Sequence, residues 1–166
     1  MTSPMQGYGD FEWTSTADLA EHAHDDEPDE PWRFYLATAV HFADGRVLPS
    51  QDGDGDEPPF GPLHVISAVQ PDADPEDTDS ANRLDILDRE LTEHGVDAVP
   101  VVGTAFDGSH AENSRAVFGL TDDEARAIGL RFGQVAIFSW QGSWWSVLAC
   151  ATNRVDQRRW RWEPKS

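Results

Sequence analysis

Apolar positions fall into short runs separated by acidic, Gly- and Pro-containing stretches, with two segments at helical spacing. Residues 32–42 (Trp-Arg-Phe-Tyr-Leu-Ala-Thr-Ala-Val-His-Phe) are rich in aromatic and β-branched types and read as a strand. Asp44-Gly45 is a turn signal, and Arg46 to Leu48 begins a return strand. Leu63 to Val69 reads as the next strand. Over 80–94, Leu84, Leu87 and Leu91 form one stripe of a helix, with Asp79 or Ser80 as cap and Gly95 just past its end. Val96 to Val102 reads as a strand in which Pro100 implies an edge position or a bulge. A short strand follows at Arg115 to Phe118. Residues 121–132 carry a capping box, Thr121 with Glu124, and a stripe of Ala125, Ile128 and Phe132. Val135 to Trp140 and Trp144 to Ala151 form a hairpin around Gln141-Gly142-Ser143. Strands outnumber helices and a hairpin closes the pattern. The expected fold class is α+β: a two-layer α/β sandwich, with a mixed or antiparallel sheet and two main helices packed on one face.

Charge divides the chain further. It has 166 residues with 12 basic and 31 acidic side chains, a formal net charge of −19. Residues 1–31 hold nine acids and no base, residues 51–59 hold four acids and residues 71–80 hold five. The expected organisation is therefore a mobile acidic tail at 1–31, a single α+β domain at 32–153, and a basic, Trp-containing segment at 154–166 that ends as a last edge strand. The tail carries Tyr8, Phe11 and Trp13, which can anchor it to the domain or to a partner. In the C-terminal segment Arg159, Arg161 and Glu163 alternate with Trp160 and Trp162, as expected of a strand with one face on the sheet.

The same balance excludes function classes. Direct duplex nucleic acid binding and attachment to anionic membranes both need clustered positive charge. Cys150 is the one cysteine, so no intramolecular disulfide and no cysteine zinc cluster is expected. It lies in an apolar run and reads as a buried hydrophobe. Neither a signal peptide nor a membrane span is visible, which makes the cytoplasm the default location. Asp52, Asp54 and Asp56 imitate the start of an EF-hand, but Glu57 takes the position of the required Gly and Leu63 that of the closing Glu. His22 and His24 lie in the acidic tail, where a mobile segment gives a metal no fixed geometry. No metal site and no cofactor are expected. A Walker lysine is absent, since Lys165 is the only Lys.

Four stretches in order resemble a known family. These are Val65-Ile66-Ser67-Ala68-Val69-Gln70-Pro71, the helix start Ser80-Ala81-Asn82-Arg83, the turn His110-Ala111-Glu112-Asn113-Ser114, and Glu124-Ala125 followed by Leu130 to Phe138. The set resembles the bacterial domain-of-unknown-function 3293 family over about residues 32–152. The last stretch, Phe132-Gly133-Gln134-Val135-Ala136-Ile137-Phe138, is the most specific. Val69-Gln70-Pro71 stands where the family has Trp-Asn-Pro. The resemblance implies fold boundaries and supplies no reaction.

Candidate chemistry gathers at element boundaries. His110 can act as a general base with Glu112 orienting it, because residues two apart on an extended segment share a face. Asn82, Ser114, Arg131 and Gln134 are the candidate ligand-binding residues, Arg131 for an anionic group and the others as hydrogen-bonding partners. The competing reading is structural: Asn82 and Glu112 satisfy loop backbone, and Gln134 bridges helix and strand. Two functions follow. The leading one is a binding or regulatory module whose acidic surface engages a basic partner protein. The alternative is a small-ligand-binding protein, or an enzyme using acid–base chemistry on a small anionic substrate.

Overall fold

The computed structural model describes residues 7–23, 31–71 and 73–165. His24, one of the two histidines weighed for metal, lies outside them. After a 3-10 turn at Tyr8–Asp10, the elements in chain order are α1 (Thr16–His22), α2 (Pro31–Leu36), β1 (Thr38–Phe42), β2 (Gly45–Pro49), β3 (Leu63–Ser67), α3 (Thr78–Glu93), β4 (Ala98–Ala105), β5 (Glu112–Phe118), α4 (Asp122–Arg131), β6 (Ala136–Gln141), β7 (Trp144–Ala149), β8 (Val155–Arg158) and β9 (Trp160–Pro164).

The strands form one nine-stranded sheet in the order β8-β7-β6-β3-β5-β4-β1-β2-β9, with antiparallel pairing between neighbours. Its two outermost strands, β8 and β9, are separated in sequence by Arg159 alone. A flat nine-stranded sheet would put its edges about 38 Å apart at the usual strand spacing. One residue spans a tenth of that, so the sheet curls until its edges meet. The last segment pairs with β7 through Val147↔Asp156 and, past Arg159, with β2 through Val47↔Trp162. The architecture is a nearly closed antiparallel barrel with helices outside it. This corrects the expected two-layer sandwich. The inner sheet face covers itself by curling, and both strand faces are buried around much of the circumference.

Side-chain alternation then assigns the two faces. Val40, Val47, Leu63, Val65, Val101, Ala116, Trp140, Trp145 and Trp160 form the core inside the barrel. Ile66, Val117, Ile137 and Leu148 point outward under Leu84, Leu87 and Leu91 of α3 and Ala125 of α4. Each fully buried Leu of that stripe contributes about 1.5–3 kcal/mol. Asp77, rather than Asp79 or Ser80, caps α3, accepting from the Ser80 backbone N–H at 2.7 Å. Helix α4 has its expected capping box: Thr121 Oγ1 accepts from Glu124 N at 3.1 Å, and Thr121 N donates to Glu124 Oε1 at 2.9 Å.

Two local expectations change. Residues 31–36 form α2 rather than the start of a strand. Proline suits the first helical position. The tertiary setting then overrides the β preference of the aromatic run: Trp32 is buried, with its indole N–H donating to Asp156 Oδ2 at 2.6 Å. Strand β4 runs inside the sheet, and Pro100 is accommodated because the β1 ladder stops at His41↔Val102. The missing N–H therefore falls beyond the end of β1.

The segment 7–23 lies against the barrel. Tyr8 stacks on Trp13 at 4.7 Å, and both rings meet Phe132 edge-on. Leu19 and Ala23 of the next stretch join Trp32, Val135 and Val147 in a third cluster. No helix among the described residues is long and apolar enough to cross a membrane.

Candidate functional site

The barrel interior is filled unevenly. At one end Trp140 contacts Trp145, Trp160 and Trp162, with ring centroids 5.9, 5.0 and 6.0 Å away. Phe42 and Phe118 pack at the same end. Going the other way along the same inward-facing positions, the strands carry Thr38, Ser67, Gly103, Ala105, Ser114 and Ala136. Small residues facing one another cannot meet across an eight- or nine-stranded barrel. They leave a cavity of about 350 Å³ at that mouth. Phe34 and Tyr35 of α2 and Phe138 of β6 wall it. Its size is at the small end of the range for small-molecule sites.

Glu112 opens β5 on the inward face, opposite Gly103. A Cβ at Gly103 would meet only Thr38 Cγ2, at 3.5 Å, so the glycine leaves open space on this inward face. Burial raises the Glu112 pKa above the ordinary carboxylate value, and the neighbouring His110 partly offsets this. His110 Nε2 lies 3.5 Å from Glu112 Oε2; the histidine is about half exposed at the rim, while the Glu112 side chain is 24% exposed. His110 reaches this place through a left-handed backbone, φ +53°. That conformation costs a non-glycine residue about 1–2 kcal/mol. The turn that enforces it is closed by Ala105 N donating to Ser109 O at 2.9 Å, and the imidazole sits edge-on to Phe34 at 4.9 Å. His110 and Glu112 therefore do come together, although by a turn and not by a shared strand face.

Ser114 and Gln134 also line the cavity. Ser114 Oγ donates to the Glu112 backbone carbonyl at 3.3 Å. Gln134 Nε2 donates to the carbonyls of Val69 and Phe132 at 3.0 and 3.1 Å, so it bridges strand and helix ends while facing the pocket. Arg131 and Asn82 do not line it. Arg131 pairs with Glu90 across α3 and α4, Nη2 to Oε1 2.5 Å, and its guanidinium lies 3.9 Å from the Tyr8 ring centroid. Asn82 is on α3, partly buried on the outside of the barrel.

Sequence reasoning missed Tyr35, Thr38 and the small residues Gly103 and Ala105. Tyr35 is hidden inside a run that reads as strand, and the others lack any chemical signature until the register is known. Burial, reinforced by the Glu112 charge, holds the Tyr35 phenol well above its ordinary pKa, so it stays a neutral donor. Gln70, at the cavity's edge, accepts from Thr14 N and Thr14 Oγ1 at 2.9 Å each and donates to Phe132 O at 2.8 Å. A second hollow, a groove of about 880 Å³ between α3 and α4, is lined by Leu87, Leu91, Leu120 and Ile128 with Glu90 and Arg131. It is an open furrow whose rim also carries His94, Asp97 and Glu124. No group of three or more His, Cys, Asp or Glu placed to hold a metal occurs among the described residues.

Residues 66–137 match the family described as "Protein of unknown function (DUF3293)". The resemblance carried by the four motifs is thus found, over a stretch covering slightly less than half of the chain. It includes Glu112, Ser114 and Gln134 and leaves out α2 and β1. No curated protein and no solved structure matches the chain.

Proposed function

We propose that this protein binds a small molecule in the half-filled mouth of its barrel. The observation that carries this reading is the gradient of side-chain size along the interior, from four indoles at one end to Gly103, Ala105, Ser67 and Ser114 at the other. A protein selected only for stability fills such a volume, since each unfilled methylene forfeits about 1 kcal/mol. The lining also combines apolar walls with polar side chains, as ligand sites do. His110 and Glu112 attach any acid–base chemistry to this same pocket. Arg131, the expected anion ligand, points elsewhere.

The test uses benzyl alcohol, a neutral probe small enough for the cavity, titrated into the isotope-labelled chain and followed by NMR. Shifts centred on Tyr35, Ser114 and Phe138 are expected. They should vanish in Ala105→Phe, which fills the mouth, provided that variant keeps the wild-type melting temperature. Shifts scattered over the surface, or unaffected by a folded Ala105→Phe, would refute the reading.

A second reading, an acidic surface engaging a basic partner protein in the cytoplasm, is favoured by one observation. The 51–57 loop is held in place, with Gly53 and Gly55 closing on Trp160 and Arg159 Nε donating to Gly53 O at 3.3 Å. Its Asp52, Asp54, Asp56 and Glu57 are all exposed. Replacing these four by their amides should weaken retention of the chain on a polyarginine resin more than replacing Asp74, Glu76, Asp77 and Asp79. Equal losses would leave only a net-charge effect.

A further inference from the structure

We infer that the ligand of the barrel mouth is an organic cation: a small molecule whose ammonium or amidinium group pairs with Glu112 and whose apolar part lies against Phe34, Tyr35 and Phe138. The inference rests on the pocket reading above and adds the ligand's charge.

Three observations converge on it. First, Glu112 is the one acidic side chain lining the cavity among the described residues, and no Lys or Arg lines it. An anion would meet a carboxylate there with only the rim imidazole to receive it. Second, the carboxylate is three-quarters buried and has one side-chain partner among the described residues, His110 on its Oε2 at 3.5 Å. A carboxylate accepts at about four lone-pair positions. With one side-chain partner, a partly buried carboxylate keeps acceptor positions to offer a cation, and pairing with one offsets its burial. Third, three aromatic rings wall the space beside that carboxylate. Rings with a carboxylate recognise ammonium groups, because each ring face presents negative potential and the apolar wall suits the cation's carbon substituents. The hydroxyls of Thr38, Ser67 and Ser114 add acceptors for the remaining N–H groups. The net charge of −19 favours the approach of a cation from solution.

Three ligands of nearly equal shape separate charge from fit: benzylamine, benzyl alcohol and benzoate. Each is titrated into the full chain at one ionic strength, with NMR shifts of the pocket residues as the readout. Benzylamine is expected to bind at least about tenfold more tightly than benzyl alcohol, the increment of one charge-assisted hydrogen bond, and benzoate most weakly. In Glu112→Gln the preference for amine over alcohol, read as the ratio of their two affinities in the same variant, should be lost. Equal affinity of amine and alcohol for the wild-type chain would overturn the cation assignment and leave the pocket standing. An amine preference that survives in Glu112→Gln would also overturn it, by tracing the attraction to the general surface charge. If none of the three enters the cavity, the pocket reading fails and the cation assignment fails with it.

Discussion

Gly95 and Gly133 occupy the same position in two helices, the residue after the C-cap, and both have φ +68°. They differ in what a side chain would meet. A Cβ on Gly95 has nothing within 4 Å, whereas one on Gly133 overlaps the Gln70 carboxamide, with even its farthest atom, Nε2, only 2.9 Å away. Gly95→Ala should therefore measure the backbone effect alone. The left-handed conformation costs alanine about 1–2 kcal/mol, and the stiffer unfolded chain returns about 0.4–1 kcal/mol, for a net loss near 1 kcal/mol. Gly133→Ala carries that same loss and must also expel Gln70.

Gln70 is not free to move. It is 9% exposed. Its Nε2 donates to Ala68 O and Phe132 O at 3.0 and 2.8 Å, and its Oε1 accepts both donors of Thr14. Each buried bond left unmade costs about 1–3 kcal/mol. With Thr14 able to turn to water, two such losses remain, and Gly133→Ala should destabilise by about 3–7 kcal/mol in all. Urea unfolding followed by tryptophan fluorescence gives both values. The double mutant with Gln70→Ala completes the cycle: without the carboxamide, the Gly133→Ala cost should drop to about 1 kcal/mol, a coupling of roughly 2 kcal/mol or more. If Gly133→Ala costs no more than Gly95→Ala, or if the two changes simply add, Gln70 is not wedged between α4 and the 7–14 segment as described.

Two further predictions concern titrating groups. Because burial raises the Glu112 pKa in the folded state, the native chain holds that proton to higher pH than the unfolded chain, and stability falls as pH rises through the interval between the two values. Glu112→Gln should thus be more stable than wild type at pH 7. The difference should close below the unfolded carboxylate value; a variant less stable at pH 7 would show that His110 more than compensates the burial. Cys150 packs against Gly129, and burial pushes its thiol pKa up to about 12. Cys150 is partly buried, and its raised pKa leaves little thiolate at pH 8, so a disulfide reagent should label the native chain more slowly than the denatured one. Rapid labelling of the native chain would contradict that packing.

What was legible in the sequence is what is decided locally. The α4 capping box, Gly95 just past the end of α3, the β6–β7 hairpin and the buried stripe of α3 all depend on residues within a turn or two of one another, and all are present. The closing of the barrel depends on Val47 meeting Trp162 and on Arg159 carrying the chain from one sheet edge to the other. No local periodicity marks such a pairing, so the inner and outer faces of β3 and β6 could be recognised as apolar without revealing that one of them looks into a barrel. The site divides along the same line. His110 and Glu112 were visible as neighbouring titratable groups, yet the left-handed turn that joins them, Tyr35 on a helix that resembled a strand, and the space opposite Glu112 are consequences of register. Gly103 illustrates the difference: in the sequence it is a weak point in a strand, and in the barrel it is one of the small residues that line the open mouth. That face was left with small residues where it could have been filled as the tryptophan end was. A core-filling rule applied to the register, rather than to the sequence, is what separates this mouth from the rest of the interior.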